Sequence, residues 1–104
     1  MIAFVSQLTH VIAISLMTCN DNTHLSDYTG DSFRDLTRIA RINDKMWSAL
    51  FDLNKEALLR QMDIFEKEFD ALKEILKAGD ITAMREKMQL STARRAYFDK
   101  KQST

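Results

Sequence analysis

Three arginines stand at helical spacing in the middle of the chain, at Arg34, Arg38 and Arg41. On an α-helix these positions lie on one side, where like charges repel by roughly a few tenths of a kcal/mol per pair. Asp35 stands three residues before Arg38 and offers one partner. An anionic ligand offers another, because the guanidinium fork fits a carboxylate with two parallel hydrogen bonds. The spacing leaves a solvated helix face and a carboxylate-binding site both open.

Two ring-bearing residues are candidates for the lining of a pocket. His10 follows Ser6 by about one helical turn in an apolar stretch. A single histidine there is usually a hydrogen-bonded core residue, and the alternative is a neutral donor or acceptor in a dry pocket. Trp47 stands four residues before Phe51, which is typical of a core tryptophan and compatible with a place beside a ligand. Spacing alone does not separate these interpretations.

Several function classes are excluded by composition. The sequence contains no nucleophile triad, metal-ligand cluster, phosphate-binding glycine loop or dinucleotide fingerprint. Fifteen Lys and Arg residues balance fifteen Asp and Glu residues, so no net field attracts nucleic acid or an anionic membrane. The apolar start is interrupted by polar residues, lacks the basic region of a signal peptide and falls short of the roughly 20 apolar residues that span a bilayer. The single cysteine, Cys19, forms no internal disulfide and indicates a cytoplasmic protein.

The remaining composition favours one all-α domain. The chain has 104 residues, no proline and two glycines, whereas sandwiches and barrels need many turn residues. Helical periodicity predicts a nearly all-apolar, central helix over residues 2 to about 19, in which Phe4 and Leu8 are two of the apolar residues that recur at three- and four-residue steps. A polar loop is predicted over residues 20–30 and a helix from Ser32 to about residue 42. A short helix capped by Asn43 or Asp44 follows.

Two long helices are predicted in the second half. Asn54 is expected to cap the first, in which apolar residues step by four and three in a heptad seam: Leu58, Met62, Phe65, Phe69, Leu72 and Leu76. Gly79 suits a left-handed helix end, and Asp80 is expected to cap a last helix to about residue 100. That helix is expected to direct five side chains inward: Ile81, Met84, Met88, Ala96 and Tyr97. The prediction is an all-α bundle of about five helices forming an intertwined dimer, because the long stripes exceed what one protomer covers.

Three segments in order carry a resemblance to a known family. Residues 6–10 read SQLTH, residues 30–40 read GDSFRDLTRIA and residues 46–47 read MW, followed by Asn54 at the start of the long helix. Together they resemble the C-terminal helical domain of prephenate dehydrogenases, with the pattern S-H-L-P-H, then G-G-G-F-R-D-x-T-R-I-A, then M-W and an asparagine. The order and the approximate separations match through the whole chain.

The resemblance implies the following organisation. Residues 1–104 are expected to form the helical dimerisation and substrate-binding domain. The N-terminal Rossmann domain, which makes most of the contacts to NAD, is expected to be absent from this chain. The implied reaction is the oxidative decarboxylation of prephenate to 4-hydroxyphenylpyruvate in tyrosine biosynthesis, carried out by a homodimer. The family's catalytic histidine lies in the absent domain, so the fragment alone is expected to be inactive.

Residue by residue, the resemblance also implies a substrate site. Arg38 matches the arginine that binds a substrate carboxylate, and His10 matches a histidine that lines the pocket. Ser6 matches a serine near substrate and nicotinamide, and Trp47 a tryptophan close to the same pocket. Gly30 matches the start of the glycine-rich entry.

Four positions depart from the family pattern. Asp31 and Ser32 replace glycines, which puts backbone contacts near Gly30 in doubt. Gln7 replaces a histidine and Thr9 a proline, so the first helix is expected to lack the bend that a proline produces. Two alternatives stay open at this point: an arogenate-preferring dehydrogenase, and a non-enzymatic helical interaction module that uses the seam of residues 58–76.

Overall fold

The computed structural model describes residues 1–20 and 31–102, with side chains through residue 98. Its elements are a π-helical segment Ala3–Gln7, α1 Leu8–Thr18, α2 Asp31–Thr37, a 3-10 turn Arg38–Ala40, α3 Asp44–Leu53, α4 Lys55–Ala78 and α5 Ile81–Gln102. The predicted all-α class with five helices is confirmed, while the dimer stays a prediction. The loop predicted over residues 20–30, with Gly30, lies almost wholly outside the described residues. Among the helices described, none has an apolar stretch long enough to cross a membrane.

The chain divides into two compact units, Met1–Ile64 and Phe65–Thr104. In unit 1 the first helix is not uniform, because the Leu8 N–H donates to the carbonyl of Ala3, five residues back. Such a turn holds more residues than an α-helical turn and rotates the residues before it relative to those after it. Ala3 and Leu8 are consequently buried, whereas Phe4 is 54% exposed. Phe4 and Leu8 stand four residues apart in the sequence, but they do not lie on one buried face.

The helix predicted over residues 32–42 is shorter than expected. α2 ends at Thr37, whose hydroxyl donates to the Phe33 carbonyl at 2.7 Å, and the chain tightens into the 3-10 turn Arg38–Ala40. Arg41 then has extended backbone angles, φ −80° and ψ 106°. Serine and threonine hydroxyls often bond in this way where a helix bends or ends. Because α2 ends at Thr37, Arg38 and Arg41 do not lie on the same α-helix as Arg34.

The junction of α3 and α4 lies near the two asparagines that the sequence predicted as helix caps. The Asn43 side chain accepts from the Met46 N–H at 3.2 Å, which confirms Asn43 as the cap of α3. The Asn54 carbonyl accepts from the Leu58 N–H at 3.0 Å in the first turn of α4. The side-chain amide of Asn54 donates to Gln7, so this residue links the chain start to the α3–α4 junction.

In unit 2 the end of α4 and α5 form a helical hairpin. Gly79 has φ +67°, and the Asp80 side chain accepts from the Ala83 N–H at 2.9 Å. The predicted left-handed helix end at Gly79 and the predicted cap at Asp80 are therefore confirmed. An ion pair between Lys87 and Glu68, 2.9 Å from Nζ to Oε2, joins the two helices.

The predicted inward faces of α4 and α5 are mostly exposed in the single chain. Five side chains show this, with exposed fractions of 59% for Phe69, 73% for Leu76, 73% for Ile81, 60% for Met88 and 64% for Tyr97. The inward orientation predicted on α5 is wrong for one protomer at Ile81, Met88, Ala96 and Tyr97, all of which are exposed. The reason is that α4 and α5 are long and the hairpin covers only part of their surface. Buried hydrophobic side chains in the described part of the chain are Ala3, Leu8, Ala13 and Leu58.

Candidate functional site

His10 and Trp47 form a stacked pair in unit 1. Their ring centroids are 3.9 Å apart and their planes differ by 23°. Trp47 also meets Phe51 edge-on, with centroids 5.8 Å apart at 65°. Both rings of the stack are half-buried. Two residues that the sequence left ambiguous thus form one feature, which joins the first helix to α3.

A hydrogen bond fixes the orientation of the imidazole. His10 Nδ1 lies 2.7 Å from the carbonyl oxygen of Ser6. A carbonyl only accepts, so Nδ1 carries the proton and Nε2 is the acceptor nitrogen of the neutral ring. The Thr9 hydroxyl donates to the same carbonyl at 2.7 Å. Ser6 therefore acts on His10 through its backbone.

Arg38 lies on the 3-10 turn Arg38–Ala40, which packs against α1, the helix that carries His10. Its side chain is exposed. Within residues 1–20 and 31–98 no ion pair joins Asp35 to Arg38, so the intrahelical partner that the sequence offered is not used. The turn places a guanidinium with its donors available beside the first helix. Gly30, the fifth predicted site residue, lies outside the described part.

The contacts of a buried amide, Gln7, could not be predicted from the sequence, and this residue is only 4% exposed. Its Nε2 donates to the Leu50 carbonyl at 3.2 Å, and its Oε1 accepts from Asn54 Nδ2 at 2.7 Å. Both partners of Gln7 lie more than 40 positions away in the chain. The only sequence signal is a glutamine in an apolar stretch, and it does not identify these partners.

The chemistry available here is recognition of a carboxylate and of a ring. Arginine supplies charged donors for a carboxylate, the imidazole supplies one acceptor nitrogen, and the indole supplies apolar surface. No group of three or more His, Cys, Asp or Glu in the described ranges could hold a metal ion. A dinucleotide site of the Rossmann type needs a strand, a glycine-rich turn and a helix, and the described residues include no strand. These residues do not fit the pyrophosphate of NAD.

A protein-family model described as "Prephenate dehydrogenase, dimerization domain" matches residues 1–90. Cyclohexadienyl dehydrogenase of Zymomonas mobilis is 31% identical over 85 residues, which cover 76% of this chain and 29% of that protein. The crystal structure of Synechocystis arogenate dehydrogenase superposes with a TM-score of 0.84 at 16% identity, over 93% of this chain and 37% of that one. At that identity the superposition shows a shared fold. The chain spans about a third of the length of these relatives.

Proposed function

The chain belongs to the family of prephenate dehydrogenase dimerization domains, and on that premise we propose that it is the substrate-binding and dimerization domain of an NAD-dependent prephenate dehydrogenase. The family inferred from the segments at residues 6–10, 30–40 and 46–47 is confirmed. The proposed reaction converts prephenate and NAD⁺ to 4-hydroxyphenylpyruvate, carbon dioxide and NADH. It belongs to a protein in which residues 1–104 act together with a nucleotide-binding domain.

Arg38 is proposed to bind the ring carboxylate of the substrate. The observation that carries this assignment is an exposed guanidinium without an ion-pair partner in the described residues, on a turn packed against α1. An arginine so placed offers two parallel donors, and charge-assisted hydrogen bonds of this kind are about twice as strong as neutral ones. The same contact would orient the ring relative to His10.

His10 and Trp47 are proposed to line the pocket around the substrate ring. With Nδ1 bonded to the Ser6 carbonyl, Nε2 is the atom that can accept a hydrogen bond from a substrate hydroxyl. The stack on Trp47 restrains rotation of the imidazole. Ser6 serves through its carbonyl, and Gly30 is retained as a proposed backbone contact.

The chemistry that NAD would supply in the complete enzyme is acceptance of a hydride from the substrate ring. We assign most of its binding to the nucleotide-binding domain of the complete enzyme, since the described residues do not fit its pyrophosphate. What this chain contributes to the reaction is binding and orientation of the substrate. Such positioning accounts for a large part of many enzymatic rate enhancements.

A second substrate, arogenate, is favoured by a specific observation. One relative is named a cyclohexadienyl dehydrogenase and another an arogenate dehydrogenase. Arogenate shares the ring carboxylate of prephenate and carries an amino group in place of the side-chain keto group. Arg38 would bind the ring carboxylate of either substrate. The preference between prephenate and arogenate therefore depends on protein groups around the substrate side chain.

The proposed homodimer is supported by the exposed apolar side chains of unit 2. Phe69, Leu76 and Ile81 are each more than half exposed. Large apolar patches on soluble proteins usually mark interfaces, and most homo-oligomers are two-fold symmetric dimers. The heptad seam that suggested an interaction module is thereby assigned to pairing of two copies of this chain.

The test of the substrate site is Arg38→Ala in the complete dehydrogenase, assayed for NADH formation with prephenate and with arogenate. We expect the KM for the preferred substrate to rise about 10- to 150-fold, since hydrogen bonds to charged groups contribute about 1.5–3 kcal/mol. The KM for NAD should stay nearly unchanged.

Arg41→Ala is the matched control, because Arg41 is an exposed arginine that lies past the 3-10 turn. If Arg38→Ala leaves the KM for both substrates within about twofold of the control, the carboxylate assignment is wrong. Absence of NADH formation from either substrate by the unmodified enzyme would contradict the proposed reaction itself.

A further inference from the structure

We propose that Gln7 and Asn54 are positioning residues whose side-chain amides set the register of the first helix against α3 and so hold His10 on Trp47. The Gln7–Asn54 pair and the Leu50 carbonyl together form an amide clamp. The effect of the clamp on substrate binding rests on the proposed function. Its effect on the position of His10 is independent of that function.

The clamp and the stack belong to one antiparallel register. Gln7 donates to the carbonyl of Leu50, and His10 stacks on Trp47. Going from Gln7 to His10 advances three residues along the first helix, and going from Leu50 to Trp47 moves three residues back along α3. The two contacts are thus about one helical turn apart on both helices. A slip of one turn, about 5.4 Å, would break both.

The hydrogen bonds of Gln7 make this register specific. Its amide accepts from Asn54 and donates to Leu50, and the residue is 4% exposed. In a slipped register the buried amide would lose both partners, and an unsatisfied buried polar group is costly. A single buried asparagine selects the register of a coiled coil for the same reason.

The apolar contacts of the first helix do not provide this selection. Ala3, Leu8 and Ala13 are its buried hydrophobic side chains, and two of them are alanines. Burial of apolar surface is non-directional, and small side chains interlock little with a neighbouring helix. The directional bonds of the clamp are therefore the contacts that distinguish one register from the next.

The experiment uses nuclear magnetic resonance on this chain with isotope-labelled histidine. The chain has two histidines and one tryptophan, so His24→Gln assigns the His10 signals. An imidazole stacked at 3.9 Å lies in the shielding region of the indole, which moves its carbon-bound ring protons upfield. At about pH 8, where histidine is ordinarily neutral, the nitrogen shifts also report the proton on Nδ1.

The main variant is Gln7→Met, which removes both amide bonds and keeps a side chain of similar length. We expect the upfield shift of the His10 ring protons and their Overhauser contacts to Trp47 to be lost. Gln61→Met is the matched control, because Gln61 is a half-buried glutamine on α4. In that variant both signals should persist. Persistence of both signals in a folded Gln7→Met chain would overturn the proposal.

Asn54→Ala is the second test of the clamp, for the case in which the Gln7→Met chain does not fold and loses its helical circular dichroism signal. This variant removes one bond of the clamp and leaves the Gln7–Leu50 bond in place. A reduced upfield shift in folded Asn54→Ala supports the clamp, and an unchanged shift contradicts it.

Substrate kinetics separate the clamp from the proposed function. In the complete dehydrogenase, Gln7→Met should raise the KM for prephenate or arogenate, and Gln61→Met should not. If the ring shift is lost and the KM is unchanged, the clamp is upheld and the assignment of His10 to the substrate pocket is wrong. If the ring shift is retained, the clamp itself is wrong, whatever the kinetics.

Discussion

Unit 1 and unit 2 are built from different kinds of contact. In unit 1 a buried amide, Gln7, and a stacked pair, His10 and Trp47, join segments that are distant in the chain. In unit 2 the two helices are joined by an exposed ion pair, Lys87–Glu68, and several large apolar side chains stay exposed. Directional buried contacts specify a geometry within one protomer, whereas exposed apolar faces need another surface to cover them.

The difference matches the two tasks proposed for the domain. A substrate site needs rings and donors held at defined positions, which the hydrogen bonds around His10 provide. A dimer interface needs area and apolar side chains, which α4 and α5 provide through Phe69 and Ile81. Variants in each unit should therefore have different consequences.

The largest effect is expected from Phe69→Glu in unit 2. A charge in place of an apolar ring should weaken the proposed homodimer about 30-fold or more in Kd, since interface aromatic residues often contribute at least about 2 kcal/mol. Analytical ultracentrifugation of the variant at several concentrations measures this. Lys67→Ala is the control, because it changes an exposed residue on the opposite side of α4. A monomeric parent chain at micromolar concentration would refute the dimer.

A smaller effect is expected from Trp47→Ala in unit 1. Loss of the stack on His10 and of the edge contact with Phe51 should lower the free energy of unfolding by about 2 kcal/mol. This is less than for a fully buried aromatic residue, because Trp47 is half-buried. Urea unfolding followed by circular dichroism measures the change. Met46→Ala, at a 50% exposed position on α3, should cost less, and equal losses would argue against a structural role for the stack.

The smallest effect is expected from two helix caps, Asn43 in unit 1 and Asp80 in unit 2. Asp80→Ala and Asn43→Ala should each lower the free energy of unfolding by about 1 kcal/mol, because each removes a side-chain acceptor from a first-turn N–H. Asp80→Asn keeps an acceptor and should cost less. Thermal unfolding of the three variants tests this, and an Asp80→Asn loss equal to that of Asp80→Ala would contradict the capping explanation.

Three helix ends could be predicted because their signals are local. Asn43, Gly79 and Asp80 act on backbone groups within a few residues, so their types and spacing suffice to locate helix ends. The family could be identified in the same way from three short segments, and the match over residues 1–90 confirms it. The assignments of Arg38 and His10 to a substrate site remain predictions.

Periodicity failed where the backbone departs from the regular α-helix. The wide turn at Ala3–Gln7 exposes Phe4, and the 3-10 turn after Thr37 ends the arginine spacing at Arg38. A projection with 3.6 residues per turn assumes the same geometry throughout, so one wide or tight turn changes every face beyond it.

By itself the sequence determined the all-α class, the long C-terminal helices, the link between them at Gly79 and Asp80, and the family. Only the tertiary structure decided that Gln7 bonds to Leu50 and Asn54 and that His10 stacks on Trp47. Helix formation depends on neighbours three and four residues apart, which the sequence displays directly. The partner of a buried amide depends on which distant segment packs against it and in which register, and that is known only when the chain has folded.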